Sequence, residues 1–212
     1  MKKEFQMKYS SEKIFSKKFL EELSSNNEIE INDITSPLVS VVMPSFNQEK
    51  FIEKSILSVL NQNYRNIELI IIDGGSTDKS ISIIKKYEEH IRYWISEKDN
   101  GQSDALNKGF KIAKGDILCW LNSDDLLLPE SISIAVETLS KNLDKKICYG
   151  DWISINENDD IKDKHFAFDF NTKHFVYEGF HLNSQSLFWR KEVHDSFSGF
   201  DTSLNLTMDY QM

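Results

Sequence analysis

Between Leu38 and Leu121 short β-branched runs alternate with amphipathic stretches, and this alternation restricts the fold more than any other feature of the chain. Val39-Ser40-Val41-Val42-Met43 ends at Pro44 and reads as a buried strand. Residues 49–61 then carry Phe51, Ile52, Ser55, Ile56, Val59 and Leu60 at helical spacing. Ile67 to Ile72 is the next strand, stopped by Asp73-Gly74-Gly75-Ser76-Thr77-Asp78, where Asp78 is placed to cap a helix carrying Ile81, Ile84 and Tyr87. Ile91 to Ile95 reads as a third strand, residues 102–113 as a third helix and Ile117 to Leu121 as a fourth strand. Beyond these, Ile147 to Ile155 is the clearest strand. Such alternation predicts βαβ units, and so an α/β fold with a mainly parallel sheet flanked by helices on both faces. Ligands of such sheets bind beyond the carboxyl ends of the strands. That rule puts Ser45-Phe46-Asn47, Asp73-Gly74-Gly75-Ser76 and Asn122-Ser123-Asp124-Asp125 along one functional edge.

A length of 212 residues allows one domain, or one plus an appendage, and 40% hydrophobic residues supply a core. With 34 acidic against 25 basic side chains the net charge is −9, which argues against nucleic acid as a partner. Cys119 and Cys148 make neither a disulfide framework nor a Cys-rich zinc site, and read as small core residues of a protein in a reducing cytosol. No apolar run approaches the ~20 residues that span a bilayer, and no apolar segment follows Met1-Lys2-Lys3-Glu4. Residues 1–37 form an extension in which Lys2, Lys3, Lys8, Lys13, Lys17 and Lys18 sit among Phe5, Ile14, Phe15, Phe19, Leu20 and Leu23. This segment reads as a surface helix, a loosely ordered extension or a basic amphipathic helix at a membrane. Glu21, Glu22, Glu28, Glu30 and Asp33 oppose an anionic surface.

Asp124 and Asp125 are two adjacent carboxylates at the end of an apolar strand. Like charges so placed need solvent or a counterion, and a divalent cation with oxygen ligands meets that need. The alternative is that they cap the stretch Leu126 to Leu139. Asp73 is suited to accept hydrogen bonds from a base or ribose, with Gly75 allowing close backbone approach, or else it belongs to an ordinary strand-to-helix turn. No Gly-Lys-Ser/Thr phosphate loop and no Gly-x-Gly-x-x-Gly is present. His165, His174, His181 and His194 form no paired ligand motif, although His181 is a candidate on the acceptor or diphosphate side. Trp152, Phe166, Phe168, Phe170 and Phe175 either stack on a sugar or pack in the core.

The order of these segments resembles family 2 nucleotide-sugar glycosyltransferases over residues 38–212. The resemblance runs through Val39 to Asn47, Ser58 to Tyr64, Glu68 to Asp78, Asp99-Asn100-Gly101-Gln102-Ser103-Asp104-Ala105-Leu106-Asn107-Lys108-Gly109 and Asn122 to Asp125. It continues at Gln185 to Arg190, Gly199-Phe200-Asp201 and Met208-Asp209-Tyr210. It implies a GT-A (Rossmann-like) fold, with residues 38–130 as the nucleotide-binding half and 131–212 as the acceptor-side half. The implied reaction is transfer of a sugar from a nucleotide diphosphate-sugar to an acceptor hydroxyl, with inversion, in surface polysaccharide or glycan assembly. The Pro44-Ser45-Phe46 turn would contact the base and Asp73 would hold the base or ribose, with Asn47, Gly75 and Asn122 as further nucleotide-sugar-binding candidates. Asp124 would lie near the ribose or metal, Asp125 would bind Mg²⁺ or Mn²⁺ across the diphosphate, and Asp209 would be the catalytic base. Asp104 is a further candidate sugar contact, or a helix N-terminal acid.

The chain departs from the pattern at Gly74 and Asn122, where many members have Asp, and at Leu106, where many have Arg, so that Lys108 is the candidate replacement. It stops three residues after Asp209, where relatives continue, so part of the acceptor half is expected to be missing. A nucleotide-sugar-binding remnant without turnover is therefore the alternative reading. The acceptor, a glycan or a lipid-linked one, is unspecified. A lipid-linked acceptor would bring a cytoplasmic protein to the inner membrane face.

Overall fold

The computed structural model describes residues 36–173, 183–196 and 199–204. The 1–37 extension, apart from Ser36 and Pro37, lies outside them, as do His174, Phe175, His181 and Asp209.

Strand β1 (Val39–Ser45) is buried at all seven positions, which requires a covered surface on both faces of the sheet. It pairs in parallel with β2 (Ile67–Asp73) on one side and β4 (Ile117–Trp120) on the other, and β2 pairs in parallel with β3 (Tyr93–Ser96). Strand β8 (Leu187–Arg190) runs antiparallel between β4 and β5 (Ile147–Tyr149), giving the order β3-β2-β1-β4-β8-β5. The sheet reverses its winding between β1 and β4, and a crevice opens at such a switch point.

Helices α1 (Ile52–Leu60), α2 (Ser80–Lys86) and α3 (Gln102–Ile112) connect the parallel strands. Helix α3 lies so close to the sheet that a Cβ at Gly109 would collide with Val42 Cγ1. Helix α4 (Ser131–Lys141) follows β4, and the short α5 (Lys191–Asp195) follows β8. Asp78 acts at the start of α2, accepting from Ser80 N–H at 2.9 Å, while its second oxygen accepts from Glu49 N–H at 2.9 Å. At the opposite end of the sheet buried Glu68 accepts from Ser40 Oγ and Lys114 N–H, holding the turn into β4.

Three expectations need correction. The run Ile147 to Ile155 is not one strand. It breaks at Gly150-Asp151, β5 joins the main sheet, and β6 (Trp152–Ile155) leaves it to form an antiparallel hairpin with β7 (Ile161–His165). The third strand starts two residues later than expected, because a 3-10 turn at Glu88–His90 turns Ile91 into the core ahead of the ladder. Phe166, Phe168 and Phe170 are exposed, so core packing does not account for them. The cysteines do belong to apolar surroundings. Cys119 is buried and its thiol is pushed far up by desolvation, and the half-buried Cys148 thiol is pushed up to about 11 by the same cause.

Candidate active site

The strand ends of β1 and β2 are joined by a ladder of short bonds. Asn47 adopts a left-handed backbone (φ 53°), its N–H donates to Ser76 Oγ at 2.8 Å, and its side-chain oxygen accepts from Thr77 N–H at 2.9 Å. Gln48 N–H donates to Ser80 Oγ, and Lys79 N–H to Glu49. Pro44 and Ser45 end β1 in the interior, and Ser45 Oγ is buried without a hydrogen-bond partner among the described residues. Phe46 projects, 59% exposed, from the crevice end of β1.

Asp73 is fully buried. Its Oδ2 accepts from Gly75 N–H (3.1 Å), Ser76 N–H (2.8 Å) and Ser96 Oγ (2.7 Å), and its Oδ1 from Ser76 Oγ (2.5 Å). Three donors saturate Oδ2 and one bonds Oδ1, and full burial closes the carboxylate to further partners from solvent. What Asp73 visibly does is hold the Gly75–Ser76 turn and tie it to β3. Gly75 has φ +86°, and a Cβ there would press on Lys98 N at 3.3 Å, so a side chain would be strained on both counts.

At the end of β4, Asn122 is bonded on both sides. Gln102 Nε2 donates to Asn122 Oδ1 at 2.6 Å, and Asn122 Nδ2 donates to Asp125 Oδ2 at 3.1 Å. Asp125 is half-buried and Asp124 exposed. The loop carrying them hangs from the inner face of α1. Ser55 Oγ donates to Ser123 O (2.9 Å), Leu127 N–H donates to Ser58 Oγ (3.2 Å), and buried Gln62 donates to Leu128 O and accepts from Ile132 N–H. Sequence reasoning missed Gln102, Ser58 and Gln62 as site-building residues. The available signal was a line of polar side chains, Ser55 and Ser58 on the otherwise apolar stripe of α1 and Gln62 just past its end.

Asp104 and Lys108 lie on α3, each bonded to nearby side chains or backbone. Asp104 accepts from Asn100 N–H at 3.0 Å, and Lys108 pairs with Glu97 at 2.8 Å and faces Asp104 at 3.5 Å. The hydrogen bond to Glu97 raises the ammonium pKa, partly offset by desolvation. Leu106, where many relatives place Arg, is fully buried.

Asp124 and Asp125 border a cavity of about 840 Å³ lined also by Leu126, Trp152, Gln185 and Phe188. Trp152 stacks face to face on His165, with centroids 3.6 Å apart. On the other side of Asp124, Lys54 forms a two-point ion pair with Asp159 at the hairpin tip, pinning the β6–β7 hairpin to α1. Among the described residues no group of three or more His, Cys, Asp or Glu could hold a metal by itself. Two hard carboxylates at a crevice still fit Mg²⁺ or Mn²⁺, because such ions typically take one or two protein carboxylates and complete their shell with water and phosphate oxygens.

Residues 40–198 match the sequence profile of glycosyl transferase family 2. The chain belongs to that family. A glycosyltransferase of Haemophilus influenzae is 38% identical over 109 residues, which is 50% of this chain and 44% of the relative. One from Mycobacterium tuberculosis is 42% identical over 108 residues, 50% of this chain and 41% of the relative. The family 2 chain thus spans less than half the length of these curated relatives. Among solved structures, residues 1–349 of S. aureus TarS in complex with UDP align with TM-score 0.64 at 19% identity, covering 81% of this chain and 52% of that fragment. The mannosyltransferase PcManGT from Pyrobaculum calidifontis, in complex with GDP-Man and Mn²⁺, aligns with TM-score 0.57 at 17% identity, covering 88% and 55%. At such identities the likeness speaks to the fold, which is GT-A. Among the described residues no helix of this family 2 member is long and apolar enough to cross a membrane.

Proposed function

We propose that this family 2 domain transfers a sugar from a nucleoside diphosphate-sugar to an acceptor hydroxyl by single displacement with inversion. The observation that carries the reading is the Asp124–Asp125 pair at the carboxyl end of β4, braced by Asn122 and bordering a cavity of about 840 Å³. That TarS is seen with UDP, and PcManGT with GDP-Man and Mn²⁺, supports a nucleotide donor and a divalent cation here as well.

The donor lies across the carboxyl ends of β1, β2 and β4. Phe46 presents an aromatic face to the base, and Asp73 keeps the Gly75–Ser76 turn in the shape that admits it. Asp125, with Asp124, would hold Mg²⁺ or Mn²⁺ against the diphosphate. When bound, the cation neutralises charge on the leaving diphosphate. The acceptor oxygen attacks the anomeric carbon as the bond from that carbon to the phosphate oxygen breaks, and the electron pair leaves with the nucleoside diphosphate. Asp209 takes the acceptor proton. The acceptor side is the cavity around Trp152, open to a glycan or the head of a lipid-linked sugar. The cellular role that follows is surface polysaccharide or glycan assembly in the cytoplasm, with peripheral contact at the inner membrane face when the acceptor is lipid-linked.

Calorimetric titration of the chain with UDP, GDP, CDP and dTDP, in Mn²⁺ and in chelator, tests the donor site. Metal-dependent binding of at least one nucleotide, lost in Asp125→Ala, is expected. A folded chain that binds none of them refutes the reading. Binding without sugar transfer to any acceptor would instead identify a nucleotide-sugar-binding remnant.

A further inference from the structure

We propose that Asp99 is the carboxylate that reads the base of the donor, and that position 74 is glycine because Asp99 occupies the space of its side chain. This rests on the nucleotide-donor reading given above. A Cβ at Gly74 would lie 2.8 Å from Asp99 Oδ2, 2.9 Å from Oδ1 and 3.0 Å from Cγ. The carboxyl group therefore lies flat against the Gly74 backbone, and a side chain at 74 and Asp99 in this position exclude each other.

The other carboxylate at the end of β2 is Asp73, which is fully buried and bonded by four protein donors, three of them on Oδ2. Asp99 differs. Its Oδ1 accepts from Gly101 N–H at 2.9 Å, the one hydrogen bond it makes among the described residues, so Oδ2 remains an acceptor without a protein donor. The half-buried side chain is held in place by the Gly101 bond, while Glu97 N–H bonds Asp73 O at 3.0 Å and carries the β3 pairing toward it.

Phe46 stands at the matching position of the neighbouring strand. Ser45 pairs with Asp73 in the parallel ladder, so Phe46 and Gly74 are the next residues out on β1 and β2. An exposed ring on β1's end and a carboxylate oxygen over the neighbouring Gly74 would offer a nucleobase a stacking face and an edge acceptor. A carboxylate accepts only. It therefore favours uracil, thymine and guanine, whose ring N–H stands where neutral cytosine and adenine carry an acceptor ring nitrogen that a carboxylate repels, their exocyclic amines lying to one side. Asp99 thus favours a uridine, thymidine or guanosine diphosphate-sugar as donor.

The test measures dissociation constants of UDP, dTDP, GDP, CDP and ADP for the full chain in Mn²⁺, and of inorganic pyrophosphate as a probe of the metal end alone. The best of UDP, dTDP and GDP should bind at least about tenfold tighter than CDP and ADP, the range of one charge-assisted hydrogen bond. Asp99→Asn keeps an acceptor for Gly101 N–H but turns an amide toward the base. It should weaken the preferred nucleotide by about tenfold or more and leave pyrophosphate within about twofold. CDP or ADP binding the unmodified chain as tightly as the others overturns the assignment, whatever the folding of the variant. So does a folded Asp99→Asn with unchanged affinity, or one that loses pyrophosphate equally. A folded chain that binds no nucleotide overturns the donor reading itself, whereas the preceding outcomes remove only the role of Asp99.

Discussion

Gln102 Nε2 donates to Asn122 Oδ1 at 2.6 Å, and this bond sets which end of the Asn122 amide meets Asp125. A carboxylate can only accept, so Asn122 turns its NH₂ toward Asp125, at 3.1 Å. The carbonyl of Asn122 then faces α3, where a donor is needed, and Gln102 supplies it. Gln102 as donor and Asp125 as acceptor together fix the orientation of the Asn122 amide between them.

Gln102→Glu removes the donor and sets a carboxylate against the Asn122 carbonyl. Asn122 is expected to flip and present its oxygen to Asp125. Mn²⁺ affinity in the presence of a bound nucleotide should fall about tenfold, the lower range for loss of a group that orients a metal ligand. Titration of free Mn²⁺ by electron paramagnetic resonance measures this. Gln102→Ala should lose less, since it adds no repulsion.

Asn122→Asp restores the acid that many family members carry, but places it about 3 Å from Asp125 Oδ2. Without metal the two carboxylates repel, and the melting temperature should drop. Mn²⁺ should return it to at least that of the unmodified chain. Thermal scans in chelator and in Mn²⁺ compare the two, and an equal shift in both conditions would exclude a shared cation.

Gln62→Ala strips a partner from Leu128 O and Ile132 N–H together, at a site that is 1% exposed. Each unsatisfied buried group costs about 1–3 kcal/mol, so a loss of roughly 2–4 kcal/mol is expected in denaturant unfolding. The Asp124–Asp125 loop shares these anchors, so nucleotide affinity should fall along with stability. A surface glutamine would show neither effect.

His194 packs on Phe110, with ring centroids 4.9 Å apart. Desolvation pushes its imidazole below the ordinary value of 6.5, aided by Lys191 and opposed by Asp195. The unfolded chain therefore takes up this proton first as pH falls. The contribution is intact above pH 6.5 and is lost as pH drops below it toward the lowered folded value. Urea unfolding from pH 7.5 to about pH 5 should show that decline, flattened in His194→Gln.

The parallel core was legible because its signals are local. An unbroken apolar strand such as Val39 to Met43 declares burial on both faces, and the polar stops at Asp73 and Asn122 declare the edge where ligands bind. The antiparallel strand β8 was less so. Leu187-Phe188-Trp189 is an apolar run too short to announce a partner, and its place between β4 and β5 depends on chain returning from far away. The break at Gly150-Asp151 was hidden for a related reason. Strand period is the same in β5 and β6, and only their separate partners show that they diverge.

By itself the sequence determined the βαβ order, the family, and the three strand ends at which the site is built, since each follows from hydrophobic period, turn residues and motifs read within a few positions. The tertiary structure decided how the polar groups at those ends divide their hydrogen bonds. Asp73 and Asp99 are equally acidic on paper, yet one is closed in by four donors and the other lies open over a glycine 25 residues away. Hydrogen-bond capacity is consumed in three dimensions. Which carboxylate has an oxygen left for a ligand therefore depends on neighbours that the order of residues does not reveal.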